Sequence, residues 1–110
     1  MRNAWSIAGR AGPVDREDDL LAKAAASDPA AFAVIFELHR AAVFRYLRSR
    51  TISDDEAAEL SAVTFERALG SIGRFRASGG GLGPWLVRIA RNAHLDAVRR
   101  GDRHPSAPRG

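Results

Sequence analysis

Apolar residues recur at helical spacing through the middle of this chain, and no segment shows the alternation of apolar and polar residues typical of a strand. Between Asp28 and Leu47 they are separated by three, four and seven positions, so they share one face of a helix. This face comprises Phe32, Ile35, Phe36, Val43, Phe44 and Leu47. The pattern predicts an all-α fold, a compact bundle of three to four helices, within a single domain of 110 residues.

Capping signals mark where the first three helices start. A helix over residues 15–27 has acidic residues in its first turn, and Asp28-Pro29 provides an N-cap and a first-turn proline for the next. Ser53 and Glu56 form a candidate capping box for a third helix. Its predicted apolar face consists of Leu60, Thr64, Phe65, Ala68, Leu69 and Ile72.

Glycine and proline set the remaining boundaries. The glycine-rich segment 78–83 interrupts regular structure, so we expect the last helix to start at Pro84 and to end at Gly101. The predicted domain therefore spans residues 17–101. Residues 1–16 are expected to be a flexible N-terminal arm, and residues 102–110 a tail or the start of an interdomain linker.

Charge is distributed unevenly along the chain. The net charge is +4, but residues 1–72 carry −2 and residues 73–110 carry +6. This asymmetry predicts a polyanionic partner for the C-terminal part.

The last helix divides into two stripes. One carries Arg88, Arg91 and Asn92, and the other carries Trp85, Ile89, Ala93 and Ala97 and is expected to pack on the core. The arginines form either a solvated face or a nucleic-acid contact, and Arg74, Arg76 and Arg103 nearby favour nucleic acid. Trp85 is suited either to core packing or to stacking on a base.

Other functional classes have little support in the sequence. His39, His94 and His104 lack metal-site spacing, and the acids at 54–59 crowd a helix N-terminus, where acids are favoured anyway. We therefore expect no metal, no cofactor and no catalytic residue. A small nucleotide-processing enzyme lacks a convergent acid/base set. No apolar run approaches the length of a membrane span, and the absence of cysteine fits a cytoplasmic setting.

Two segments resemble the sigma-70 family, specifically region 2 of its extracytoplasmic-function (ECF) group. Residues 56–68 (EAAELSAVTFERA) are similar to the family's Asp-Ala-Glu-Asp-Leu-Val-Gln-Glu-Thr-Phe-x-Arg-Ala. Residues 84–100 (PWLVRIARNAHLDAVRR) are similar to Pro-Trp-Leu-x-Arg-Ile-Ala-Arg-Asn-x-x-x-Asp-x-x-Arg-Arg. Asp28-Pro29 followed by Ala31-Phe32 resembles the family's Gly-Asp-x-x-Ala-Phe opening. The resemblance covers about residues 17–103.

The resemblance implies an alternative sigma factor that recognises and melts the promoter −10 element. Its third helix would bind the β′ clamp helices of core RNA polymerase through Asp55, Glu56, Glu59, Leu60 and Val63. The non-template single strand would be held by Arg74, Arg76, Trp85, Arg88, Arg91, Asn92, Arg99 and Arg100. Asn92 occupies the position expected to touch a flipped base, because an amide can recognise a Watson–Crick edge.

The chain departs from the family pattern in two respects. Ala62-Val63 replaces a Gln-Glu pair, which removes two polar groups from the expected polymerase contact. The chain also stops at Gly110, before the family's second, −35-reading domain, which indicates an excised or truncated domain or a reduced relative. An alternative function is a sigma-like interaction module held chiefly by an anti-sigma factor, and the Ala62-Val63 change favours it.

Overall fold

The computed structural model describes residues 13–77 and 80–101, and this part of the chain is entirely helical apart from its turns. Its elements are α1 (Pro13–Ala25), α2 (Pro29–Arg48), α3 (Asp54–Ser71), a 3-10 helix (Ile72–Arg74) and α4 (Leu82–Arg99). Helix α2 packs against the other three helices, α3 packs against α4, and α1 also contacts the 3-10 helix. The predicted all-α bundle is confirmed.

The predicted caps of α2 and α3 are formed. The Asp28 carboxylate accepts a hydrogen bond from the Ala30 amide at 2.9 Å, and Pro29 occupies the first helical turn. The Ser53 hydroxyl accepts one from the Glu56 amide at 3.1 Å. In a standard capping box the Glu56 carboxylate would accept a hydrogen bond from the Ser53 amide. Here it accepts one from the preceding amide, that of Ile52, at 3.1 Å.

Two predicted helix starts were wrong. Helix α1 begins at Pro13, so residues 13–16 of the expected arm are helical, since the fixed φ of proline suits a first turn. The rest of that arm, and the tail at 102–110, lie outside the described residues. Helix α4 begins at Leu82 rather than Pro84. Pro84 still costs no hydrogen bond, because the amides of a helix's first turn have no intrahelical acceptor.

The core lies where α2, α3 and α4 meet. Its largest fully buried side chains are Ile35, Val43, Leu47, Thr64, Leu82 and Leu86. Two predicted core residues face outward instead: Phe36 is 37% exposed and Leu69 is 53% exposed. Phe36 remains anchored by an edge-to-face contact with Phe65, with ring centroids 4.9 Å apart.

His94 is a core residue that the helical pattern did not predict. It is 5% exposed, and its Nε2 atom has no hydrogen-bond partner among the described residues. Burial lowers the pKa of His94, and the nearby charge of Arg50 lowers it further, against opposing effects of Glu56 and the Arg50 backbone. The imidazole is therefore held neutral in the folded protein.

This burial predicts a loss of stability in mild acid. A lowered folded-state pKa means that the unfolded chain binds the proton more readily, so stability falls as pH drops below about 6.5. Burial also lowers the pKa of His39, which acts in the same direction. Urea unfolding between pH 7.5 and 5.5 should show a decline of at most about 1.4 kcal/mol per pH unit for each histidine.

In His94→Gln the decline should shrink, whatever the absolute stability of the variant, and adding His39→Gln should nearly remove it. A decline that is unchanged in the double variant would show that neither imidazole is held neutral by the fold.

Candidate nucleic-acid interface

Helix α4 presents a basic face on the side opposite the core. Arg88, Arg91 and Asn92 are exposed, while Leu86, Ala90, Ala93 and Ala97 are buried. The two faces exist because α4 packs against both α2 and α3 and leaves only its far side open. The predicted packing stripe was partly wrong, since Trp85 and Ile89 are only half-buried, although Ala93 and Ala97 are buried as predicted. The fully buried positions that the stripe omitted are Leu82, Leu86 and Ala90.

Trp85 links the start of α4 to the segment before it. Its ring meets that of Phe75 edge to face, with centroids 5.2 Å apart and planes at 71°. Phe75 is buried and lies between the exposed Arg74 and Arg76, so this contact holds both arginines beside the first turn of α4. Trp85 therefore packs against the buried Phe75, while part of its side chain remains accessible to solvent.

The C-terminal end of α4 is partly neutralised. The Asp96 carboxylate accepts a hydrogen bond from Arg67 of α3 at 2.9 Å and also pairs with Arg99. The bond from Arg67 holds the pKa of Asp96 below its usual value, and the charges of Arg99 and Arg100 act in the same direction. Arg99 thus has a partner on its own helix, whereas Arg88 and Arg91 lie away from Asp96 along the helix.

The connection into α4 has an unusual backbone. Gly80 and Gly81 both have positive φ, at 102° and 94°, and Gly81 is the N-cap of α4 with ψ of −177°. This combination is essentially restricted to glycine. Since glycine has no side chain, the α4 N-terminus lacks a cap from its own N-cap residue.

Two carboxylates of α1 hold the ends of this connection. Asp19 accepts a hydrogen bond from the Ala77 amide at 3.0 Å, and Asp18 accepts one from the Leu82 amide at 2.8 Å. Sequence reasoning missed both residues, because nothing local relates an acid in the first helix to an amide about sixty positions later. Ser78 and Gly79, and the predicted Arg103, lie outside the described residues.

The α3 surface carries the residues expected to meet a protein partner, with one correction. Asp55 and Glu59 are exposed, and Glu56 and Val63 are partly exposed. Leu60 is 3% exposed. Its side chain therefore stabilises the helix from inside the core and is unavailable for a direct contact.

A groove between α2 and α3 was not predicted. It has a volume of about 410 Å³. The Arg40 guanidinium lies 5.6 Å from the centroid of the Phe36 ring at its rim. Ala62 contributes to the wall with its short side chain. The other lining residues are Ala41, Phe44, Ala58, Ser61 and Phe65.

Neither a metal site nor a membrane span is formed by the described residues. No three potential ligands among His, Asp and Glu come together within 13–77 and 80–101. Among the same residues, no helix has both the length and the apolar character needed to cross a bilayer.

Comparisons with known proteins identify the family of the chain. The family model described as Sigma-70 region 2 matches residues 35–104. The ECF RNA polymerase sigma factor SigM of Mycobacterium tuberculosis H37Rv is 38% identical over 104 residues, which cover 91% of this chain and 51% of that protein. The ECF RNA polymerase sigma factor BldN of Streptomyces coelicolor is 37% identical over 78 residues, covering 71% of this chain and 30% of that protein. The chain thus spans between about a third and a half of these curated relatives. No solved structure gives a significant match.

Alanine substitutions at Gly81 and Gly70 should have opposite effects on the stability of the protein, because only Gly81 has a backbone conformation that requires glycine. Gly81→Ala should destabilise the protein by about 1–3 kcal/mol, because a Cβ is strained at this φ and ψ. Gly70→Ala, inside α3 with nothing within 4 Å of the added Cβ, should stabilise it by about 0.5–1 kcal/mol. Chemical unfolding of both variants measures the change in the free energy of unfolding. A change of the same sign in the two variants would contradict the backbone conformation assigned to Gly81.

Proposed function

The chain belongs to the sigma-70 family, as a region 2 domain of the ECF type, and we propose that it binds core RNA polymerase and holds the melted −10 element of a promoter. The observation that carries this proposal is the exposed face of Arg88, Arg91 and Asn92 beside the Phe75–Trp85 pair. This face combines cations, an amide and an aromatic ring, which are the groups that bind single-stranded DNA.

Each group on the DNA side has a distinct task. Arg74, Arg76, Arg88 and Arg91 are exposed and bind phosphates, with a strength that depends on salt. Asn92 is also exposed, and its amide recognises the Watson–Crick edge of an unstacked base. The accessible part of Trp85 stacks on a neighbouring base. Arg99 and Arg100 lie at the far end of the helix, where Asp96 reduces the local positive charge, and so contribute less.

The polymerase side is the exposed face of α3. Asp55 and Glu59 offer negative charge to the β′ clamp helices, with Glu56 and Val63 at the edge of the contact. Leu60 supports this surface from the core. Because Ala62 and Val63 are apolar, binding depends more on shape and less on hydrogen bonding than in relatives with the Gln-Glu pair. An anti-sigma factor, if one controls this protein, would compete for the same face.

In this proposal the protein carries out no chemical step of its own. Unstacking one base costs only a few kcal/mol, which binding of the extruded base and the phosphates offsets. The setting is the bacterial cytoplasm, where core polymerase and promoter DNA meet.

Charge reversal on α3 tests polymerase binding. Asp55→Lys should weaken affinity for purified bacterial core polymerase roughly three- to tenfold by removing a favourable charge from the contact. Glu37→Lys makes the same change on an exposed position of α2 and should leave affinity unchanged. If the unsubstituted chain does not associate with polymerase, the proposed function is wrong.

Two substitutions on α4 should separate phosphate binding from base recognition. In the complex with core polymerase on fork-junction DNA, Arg88→Ala should weaken binding to all sequences and reduce the slope of log affinity against log salt by about 0.7. Asn92→Ala should instead lose about 1–3 kcal/mol of discrimination at one base position. Both changes are on exposed side chains, so thermal stability should change little.

Arg45→Ala, at an exposed arginine of α2, is the matched control and should alter neither the salt slope nor the base preference. Equal losses on every sequence for Asn92→Ala and Arg88→Ala would contradict the assignment of Asn92 to base recognition.

A further inference from the structure

Asp18 and Asp19 lie on α1, outside the proposed DNA-binding face, yet they accept hydrogen bonds from both ends of the connection that enters α4. Asp18 is bonded to the amide of Leu82, the first residue of α4, and Asp19 to the amide of Ala77. The two bonds span 64 and 58 positions of sequence, so they form only when α1 is docked on the rest of the bundle.

The bond from Asp18 substitutes for a missing helix cap. A helix N-terminus leaves its first amides without acceptors, and a side chain at the N-cap normally supplies one. Here the N-cap is Gly81, whose backbone angles exclude residues that could do so. A carboxylate is well suited to the task, because it carries the negative charge that the positive end of the helix dipole favours.

The bond from Asp19 acts at the other end, next to an arginine of the DNA side. Ala77 is buried and follows Arg76 directly. Asp19 and Arg76 also line a common cavity of about 310 Å³ between α1 and the 3-10 helix, together with Lys23. Helix α1 therefore lies directly beneath the segment that carries Arg74 and Arg76.

We infer that Asp18 and Asp19 are positioning residues for DNA recognition: they set where Arg76 and the first turns of α4, with Trp85 and Arg88, lie relative to each other. This inference rests on the proposed function. The two carboxylates are negative charges close to a phosphate-binding face, so they oppose DNA binding as charges and favour it only through their hydrogen bonds. The sign of their effect therefore distinguishes the two roles.

The test compares three kinds of variant in the polymerase complex on fork-junction DNA. Asp18→Ala and Asp19→Ala remove charge and acceptor together and should weaken DNA binding, each by about three- to tenfold. Asp18→Asn and Asp19→Asn keep an acceptor and should restore most of the affinity. Glu17→Ala removes one charge from an exposed neighbouring position of the same helix and should leave affinity unchanged or slightly raised.

Binding to core polymerase alone should be unaffected in all five variants, because the residues proposed to bind polymerase lie on α3 and the substituted residues lie on α1. If the alanine and asparagine variants all tighten DNA binding as Glu17→Ala does, the carboxylates act only as charges and the inference is overturned. If polymerase binding falls in parallel with DNA binding, the residues have only a general structural role, which also overturns it.

Amide hydrogen exchange separates this inference from the proposed function. In the chain without DNA or polymerase, Asp18→Ala should accelerate exchange at Leu82 and Asp19→Ala at Ala77, by about tenfold or more, with the core of α3 unchanged. Unchanged exchange at both amides overturns the inference even if the chain binds DNA. If exchange accelerates as expected but the polymerase complex of the unsubstituted chain shows no affinity for fork-junction DNA, the proposed function is overturned. The hydrogen bonds from the two carboxylates to the connection are then still confirmed.

Discussion

The packing of α4 into the angle between α2 and α3 determines which of its side chains can meet another molecule. Leu86, Ala90 and Ala93 are buried by that packing, and a helix that buries one side exposes residues a half-turn away. Arg88, Arg91 and Asn92 occupy that opposite side. The proposed DNA-binding surface is therefore a consequence of the core, and small buried residues on α4 are as necessary to it as the arginines.

The carboxylates near this surface form ion pairs and hydrogen bonds that stabilise the fold. Asp96 pairs with Arg67 and Arg99 and so joins α3 to α4, while Asp18 and Asp19 accept backbone hydrogen bonds at the entry to α4. The strongly basic C-terminal part of the sequence is thus less uniform in space than along the chain. Among the described residues of this part, four of the six arginines, Arg74, Arg76, Arg88 and Arg91, lie beside the start or in the middle of α4, near the Phe75–Trp85 pair.

Features that depend on a few neighbouring residues were predicted well. Asp28 and Ser53 cap their helices as expected, and the last helix ends before Gly101, because capping involves atoms within one turn. The start of α4 was misjudged because a proline is acceptable at any of the first helical positions. Phe36 was misassigned because helical spacing defines a face but not how far a neighbouring helix covers its edge. Helical spacing placed Leu60 correctly on the apolar face of α3, whereas the resemblance assigned it to the polymerase contact, because a matching motif position does not reveal burial. His94 was missed because a polar residue on a packing face leaves no mark in an apolar pattern.

The sequence by itself determined the helices, the charge asymmetry and the motifs that resemble a sigma factor, because each is encoded in residues close together along the chain. Only the tertiary structure decided that His94 is internal, that Asp96 partly neutralises one end of α4, and that a groove lies beside Ala62. The tertiary structure also revealed the hydrogen bonds that Asp18 and Asp19 accept from amides about sixty residues away. Such contacts depend on how separate helices pack, and packing is a property of the whole bundle that no local segment specifies.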